Sequence, residues 1–189
     1  AIFCFGTNGE GYALSGMEKK EVLECVIDQA NGRVLVYAGT GCITTRETIA
    51  QSLMAEAAGA DVLSLVTPSF AQASQNELYE HYKTVAEAVH LPIVLYNIPA
   101  RTGNAIAPET VERLSQIDNI VGVKDSSGNF DNILAYLSAG KARITDNFAT
   151  LSGNDSLILN TLKAGGTGAV AGCANVYPRT MVSIYEHFL

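Results

Sequence analysis

Residues 120–125 read IVGVKD, an apolar, β-branched run that ends on Lys124 and Asp125. The polar stretch SSGN follows at once, so the run has the pattern of a buried strand that stops where the chain becomes polar. Burying an ammonium group without a partner is unfavourable, and a lysine at the end of such a strand therefore often has a chemical role. Lys124 is a candidate amine nucleophile. The alternative is a lysine that marks where the strand reaches water.

Six further runs of the same kind occur along the chain, most of them about thirty residues from the next, the usual length of a strand–helix–strand unit. They cover residues 2–5, 34–38, 62–66, 93–96, 149–152 and 168–172. Continuous apolar strands that alternate with helices are typical of a parallel sheet covered by helices. No linker or change in composition divides the chain.

The segments between the strands show helical periodicity and helix-start signals. Capping boxes begin at Ser15 and at Ser74, and Pro108 suits the first turn of a further helix. The positions predicted to face the core are Leu23, Val26, Ile27 and Ala30, then Ile49, Leu53 and Ala57, then Leu78, Val85, Ala86 and Val89, and finally Val111 and Leu114. The glycine-rich segment 165–168 precedes its strand, so we predict a helix-to-strand turn there.

Seven such units could form an open doubly wound sheet or most of an eight-stranded barrel. The barrel is favoured because no dinucleotide-binding fingerprint follows the first strand and the units are nearly uniform in length. We therefore expect residues 1–189 to form a single, incomplete (β/α)8 TIM barrel of the α/β class. Chemistry in such barrels lies where the strands end. Polar residues do follow the strands there, at Thr7, Asn8, Thr67, Tyr96, Asn97, Lys124, Asp125, Asn154 and Asp155.

Three features at this edge could complement Lys124. Tyr96 ends the preceding strand, where its phenol could exchange protons with the amine, or could simply cap the core with a hydrated hydroxyl. The turn GTNGE at residues 6–10 offers backbone N–H groups to an anion, although glycine turns are also common connections. Arg101 could pair with a substrate carboxylate or lie on the surface.

Composition excludes several classes of function. The net charge of −7 would repel a phosphate backbone, and no apolar run is long enough to cross a membrane. Four scattered cysteines and three isolated histidines lack metal-ligand spacing, so we expect reduced thiols, a cytoplasmic location and no metal site. The serines lack a nucleophile-elbow motif. A small-molecule substrate fits this composition better than a nucleic acid.

Five motifs in order resemble the dihydrodipicolinate synthase / N-acetylneuraminate lyase family of class I pyruvate aldolases. They are GTNGE at 6–10, TP at 67–68, LYNIPARTG at 95–103, VGVKD at 121–125 and LSGND at 151–155. The resemblance implies a TIM barrel. Compared with that family, the chain lacks the first strand–helix unit and the C-terminal helices, so we expect a fragment of a longer protein.

The resemblance also implies a reaction. Lys124 would form a Schiff base with pyruvate, which then condenses with an aldehyde, as in dihydrodipicolinate synthase, without a metal or organic cofactor. Tyr96 would be the acid and base, Thr7 its hydroxyl relay, and the backbone of Thr7 and Asn8 the site for the keto-acid carboxylate. Arg101 would receive the carboxylate of the second substrate, and Val170 would line the pocket. The family also suggests a homo-oligomer, a tetramer or dimer.

Two positions depart from the family pattern. Asn8 replaces a usual threonine, and Phe70 occupies a substrate-site position where the family has a tyrosine that completes the proton relay. A phenyl ring cannot pass a proton. This leaves open a 2-keto-3-deoxy sugar acid aldolase or an N-acetylneuraminate lyase-like cleavage. A non-catalytic barrel that binds a keto acid is the alternative from another class.

Overall fold

The structure is a computed structural model that describes residues 1–143 and 148–189. Within these residues seven strands form one sheet in chain order: β1 (Ile2–Cys4), β2 (Val36–Gly39), β3 (Val62–Val66), β4 (Ile93–Asn97), β5 (Ile120–Asp125), β6 (Ala149–Ser152) and β7 (Gly168–Ala169). Every neighbouring pair is parallel. A sheet whose strands follow one another in chain order is typical of a barrel, whereas in a doubly wound sheet the strand order reverses at a switch point.

Helices connect the strands. They are α1 (Gly16–Ala30), α2 (Thr45–Ala58), α3 (Gln75–Ala88), α4 (Pro99–Thr102), α5 (Pro108–Leu114), α6 (Phe130–Gly140), α7 (Ile158–Lys163) and α8 (Pro178–Phe188), with short 3-10 turns at Asp155–Leu157 and Gly172–Asn175. Both predicted capping boxes are present, at Ser15 with Glu18 and at Ser74 with Glu77. Among the described residues no helix is both long and apolar enough to cross a membrane.

The predicted inner face of α3 is confirmed, whereas of the three residues predicted on α2 only Ile49 packs against the core. Leu78, Val85 and Ala86 are buried, but Leu53 on α2 is 45% exposed. The buried face of α2 is formed by Thr48, Ser52 and Ala55. Small polar side chains can be buried there because they find partners: the Ser52 hydroxyl lies 2.8 Å from that of Thr40, and the Thr48 hydroxyl accepts from the backbone N–H of Cys42.

Strand ends differ from the predictions by a few residues. Val34 and Leu35 are exposed and precede β2, which extends instead to Gly39. The last strand is only two residues long because the chain turns into a 3-10 helix at Gly172. The predicted helix-to-strand turn at 165–168 is confirmed, since Gly165 follows α7 with a left-handed φ of 96°.

The sheet is curled, so its first strand faces its fifth across the interior. The Nζ atom of Lys124 on β5 lies 4.7 Å from the ring centroid of Phe3 on β1. The loop after β7 also approaches the turn after β1. A Cβ placed on Gly172 would come 2.9 Å from Nδ2 of the Asn8 side chain. This arrangement is TIM-barrel-like, and it brings the carboxyl ends of distant strands to one cavity.

Candidate active site

Lys124 and Tyr96 form a pair on neighbouring strands. The parallel register places Tyr96 on β4 opposite Lys124 on β5. Lys124 is 5% exposed and Tyr96 is 6% exposed. The lysine Nζ lies 3.7 Å from the tyrosine ring centroid, and the Phe3 ring lies on another side of it. Two aromatic rings therefore surround the amine and keep most water away from it.

Each member of this pair alters the acidity of the other. Burial lowers the pKa of Lys124, and the interaction with Tyr96 only partly opposes this effect. Burial alone would raise the pKa of Tyr96, but the positive charge of Lys124, together with the hydrogen bond to Thr7, leaves that pKa below its usual value. The two groups are thus prepared to exchange a proton, because the amine is a weaker base and the phenol a stronger acid than in water.

Thr7 extends the pair towards the turn after β1. Its hydroxyl lies 3.3 Å from the Tyr96 hydroxyl, within hydrogen-bonding distance. The turn closes on itself through a bond from the Gly9 N–H to the Gly6 carbonyl. In the described chain the N–H groups of Thr7 and Asn8 donate to no protein acceptor. These two donors at the cavity mouth form a simple binding site for an anion.

A cavity of about 1170 Å³ opens above the amine, and six of the seven predicted site residues line it. They are Thr7, Asn8, Tyr96, Arg101, Lys124 and Val170. Arg101 is exposed on the short helix α4, directly after the strand that carries Tyr96. Arg101 therefore belongs to the exposed edge of the cavity, while the buried Lys124 lies in its wall.

Phe70, the seventh predicted site residue, does not line this cavity. Its side chain is 98% exposed, and its backbone has a left-handed φ of 79°, which turns the ring away from the body of the chain. The loop that carries it is held from behind by the amide of Asn104, which accepts from the Ala73 N–H and donates to the carbonyls of Pro68 and Ala71, each at 2.8 Å. Phe70 is therefore presented outward on a fixed loop.

Sequence reasoning missed three residues of the site: Phe3, Ser126 and Gly153. All three line the cavity. A Cβ on Gly153 would come 2.9 Å from Cε of Lys124 and would overlap the Ser126 hydroxyl, so only glycine leaves the lysine its present position. A glycine directly after a strand was a visible signal for Gly153. Nothing in the sequence indicated Phe3, because only the curl of the sheet brings β1 opposite β5.

The described residues contain no group of three or more His, Cys, Asp or Glu side chains that could hold a metal ion. The functional groups at the cavity are an amine, a phenol, hydroxyls, a guanidinium and backbone N–H groups. This set can form a Schiff base, move protons and bind carboxylates.

A family model described as the dihydrodipicolinate synthetase family matches residues 1–189. The chain belongs to that family. A 4-hydroxy-tetrahydrodipicolinate synthase of Methanopyrus kandleri is 43% identical over 182 residues, which make up 96% of this chain and 59% of that protein. The family membership agrees with the resemblance that the five motifs indicated.

Solved structures of the family have the same fold. A dihydrodipicolinate synthase from Thermotoga maritima matches all of this chain and 64% of its own, with a TM-score of 0.95 and 34% identity. A chloride-inhibited dihydrodipicolinate synthase from Acinetobacter baumannii, complexed with pyruvate, matches 96% of this chain and 61% of its own, with a TM-score of 0.92 and 39% identity. The chain thus spans about three fifths of the length of these relatives.

Proposed function

We propose that this chain carries the Schiff-base site of a class I aldolase that condenses pyruvate with an aldehyde, as a 4-hydroxy-tetrahydrodipicolinate synthase does. The observation that carries the proposal is the buried amine of Lys124 beside the Tyr96 phenol, 3.7 Å from the ring centroid, in the wall of an open cavity. The names of the relatives support the same reaction class.

The reaction begins with the amine. The pKa of Lys124 is lowered by burial, so more of the amine is free to attack the keto carbon of pyruvate than in water. The tetrahedral adduct loses its hydroxyl as water, with a proton from the Tyr96 phenol, and a protonated imine remains. The iminium withdraws electrons, and the methyl carbon of pyruvate loses a proton to give an enamine.

The enamine carbon then forms a bond to the carbonyl carbon of the aldehyde. The lone pair of the nitrogen re-forms the iminium, and the new alkoxide takes up a proton. Water later attacks the iminium carbon, and cleavage of the carbon–nitrogen bond releases the product and the free amine. These proton transfers are assigned to Tyr96, and the Thr7 hydroxyl, 3.3 Å from the Tyr96 hydroxyl, supports the assignment.

Carboxylate recognition is assigned to two places. The free N–H groups of Thr7 and Asn8 would hold the pyruvate carboxylate, and Val170 would line the pocket beside it. Arg101 on the rim would pair with a carboxylate of the aldehyde. No metal or organic cofactor enters this sequence of steps.

A second candidate is a 2-keto-3-deoxy sugar acid aldolase, and Phe70 favours it. Phe70 lacks the hydroxyl that would complete the relay of a synthase, and its ring lies outside the cavity in this chain. A different second substrate, or water in the place of the hydroxyl, would remove the need for it. The Schiff base is common to both candidates.

We further propose that the curled sheet of residues 1–189 belongs to one (β/α)8 barrel domain of a cytoplasmic homo-oligomer, a dimer or a tetramer. The almost fully exposed ring of Phe70 on a fixed loop is consistent with a contact between copies. Sedimentation of the purified protein tests this part separately from the chemistry.

Reductive trapping tests the proposed function. Borohydride added with pyruvate should irreversibly label Lys124, and mass spectrometry of the peptides should locate the label. K124R, which keeps the charge but not the nucleophile, should remain unlabelled. An unlabelled wild-type protein that still binds pyruvate would favour the non-catalytic barrel. A panel of aldehydes with and without a carboxylate, repeated with R101A, then separates the two candidate reactions.

A further inference from the structure

Asn97 and Asp125 form a second pair behind the wall of the cavity, and the proposed chemistry does not use them. They lie opposite each other, one residue beyond Tyr96 and Lys124. Successive side chains of a strand point to opposite faces, so the first pair faces the cavity and the second faces the helices. Both Asn97 and Asp125 are 1% exposed.

The Asp125 carboxylate accepts hydrogen bonds from three side chains. Its Oδ1 accepts from Asn97 Nδ2 at 2.7 Å and from Asn132 Nδ2 at 2.9 Å, and its Oδ2 accepts from the Ser127 hydroxyl at 2.6 Å. No ion pair to Asp125 occurs in residues 1–143 and 148–189. This carboxylate depends on its hydrogen bonds, because no cation of the described residues pairs with it to offset its loss of hydration.

The pair connects the strands that form the active edge. The Asn97 side-chain oxygen accepts from the Ile106 N–H at 3.1 Å, in the loop that follows Arg101. The backbone carbonyl of Asn97 accepts from the Ser126 N–H, and that of Asp125 accepts from the Gly153 N–H at the end of β6. The β4–β5 ladder ends at this pair. The side-chain bond from Asn97 to Asp125 adds to these backbone bonds where the two strands end.

We propose that Asp125 and Asn97 are positioning residues whose hydrogen bond fixes the ends of β4 and β5 and thereby sets the placement of the Tyr96 phenol on the Lys124 amine. The catalytic consequence rests on the proposed function. Reacting groups that move by about 1 Å can lose about 10²-fold in rate, so a small shift of one strand end should suffice to impair the pair.

Three variants and a control separate this role from simple stability. D125N replaces one acceptor oxygen with an NH2 group, so Asn97, Asn132 and Ser127 can no longer all donate to residue 125, and N97D places two carboxylates together; both weaken the link between the strands. The double variant N97D/D125N exchanges donor and acceptor, so one hydrogen bond between β4 and β5 can form again. D131N makes the same charge change at the exposed first turn of α6 and is the control.

The first readout is the rate of borohydride trapping with pyruvate. Each single variant should be trapped about 10²-fold more slowly, the double variant should recover at least about tenfold, and D131N should stay within about twofold of wild type. Folded single variants that trap at the wild-type rate would overturn the inference. A folded double variant whose trapping rate does not recover would also overturn it. That result decides the question even if a single variant does not fold.

The second readout does not require a Schiff base. Tyrosine-labelled protein, with Y96F for assignment, gives the ionisation of Tyr96 by NMR. Loss of contact with Lys124 should raise the Tyr96 pKa towards its usual value in D125N, and the double variant should lower it again. An unchanged titration in D125N would contradict the inference. If the wild-type protein is not trapped, the proposed function fails, and this titration alone tests the positioning role.

Discussion

Lys124 and His81 are two buried bases in different surroundings. They are 5% and 6% exposed, and burial lowers the pKa of both, that of His81 to about 4. Lys124 faces the cavity and has the Tyr96 phenol beside it. His81 lies on α3 against α2, where Nδ1 is bonded to the Thr45 hydroxyl at 2.9 Å and buried Nε2 has no partner within the described chain. Burial favours the neutral form of a base, but reactivity also needs open space and a proton partner.

Removing the Tyr96 hydroxyl should leave Lys124, like His81, as a buried base without a phenol that can exchange protons with it. Y96F keeps the ring but lacks the hydroxyl, so the amine can still attack while the proton needed to expel water has no donor. We expect kcat to fall about 10³-fold, or about 4 kcal/mol, with little change in KM for pyruvate. Steady-state kinetics of the condensation measure this.

Y82F is the matched control for that change. Tyr82 is fully buried outside the cavity, and its hydroxyl donates to the Leu65 carbonyl. This variant should lose about 1 kcal/mol of stability and keep its kcat. Equal kinetic losses in Y96F and Y82F would remove the distinction between a proton partner and an ordinary buried tyrosine.

His81 should affect stability and not rate. Its folded pKa of about 4 lies below the value of 6.5 for an exposed histidine, so the unfolded chain binds more protons between these pH values. The free energy of unfolding should therefore decrease as the pH falls from about 6.5 to about 4, by up to about 3 kcal/mol from this residue. Above pH 6.5 it contributes no pH dependence. Urea denaturation across this range measures the slope.

H81N tests that assignment, because an asparagine amide can still bond to Thr45 but does not titrate. The variant should lose most of the slope between pH 4 and 6.5. A slope that persists unchanged in H81N would assign it to other groups and break the contrast with Lys124. Borohydride trapping at neutral pH should be the same in H81N and wild type.

A side chain that fills the space beside Lys124 should enclose the amine, as the surroundings of His81 enclose its ring. G153A places a methyl group against Cε of Lys124 and the Ser126 hydroxyl, and we expect the trapping rate with pyruvate to fall about 30-fold, or about 2 kcal/mol. G168A is the control, since a Cβ there meets only Leu151, at 3.7 Å. Equal effects of the two substitutions would contradict the steric argument.

The sequence was sufficient to predict the Lys124–Tyr96 pair because both residues end strands, and parallel neighbours bring their ends together. It was also sufficient for the helix starts at Ser15 and Ser74, which depend on local hydrogen bonds. These features depend on neighbours in the chain or on a regular repeat, both of which a single sequence displays.

Other features depend on contacts that no local pattern contains. In the sequence His81 is only one of three isolated histidines, but in the fold it is buried, because α2 supplies Thr45 across the interface. The predicted inner face of α2 missed Ser52, which can be buried because its hydroxyl bonds to that of Thr40. Phe3 became part of the site through the curl of the sheet, and Phe70 was turned outward by a left-handed backbone that phenylalanine rarely adopts.

The pKa of the Lys124 amine is the quantity on which the comparison depends. Competitive labelling of amines with a trace of acetic anhydride over a range of pH, with the Lys124 peptide quantified by mass spectrometry, measures it directly. The account predicts a midpoint below the ordinary lysine value of 10.5, since burial outweighs the attraction of Tyr96. A midpoint at or above 10.5 would contradict it, because the amine would then be no better prepared for attack than one in water.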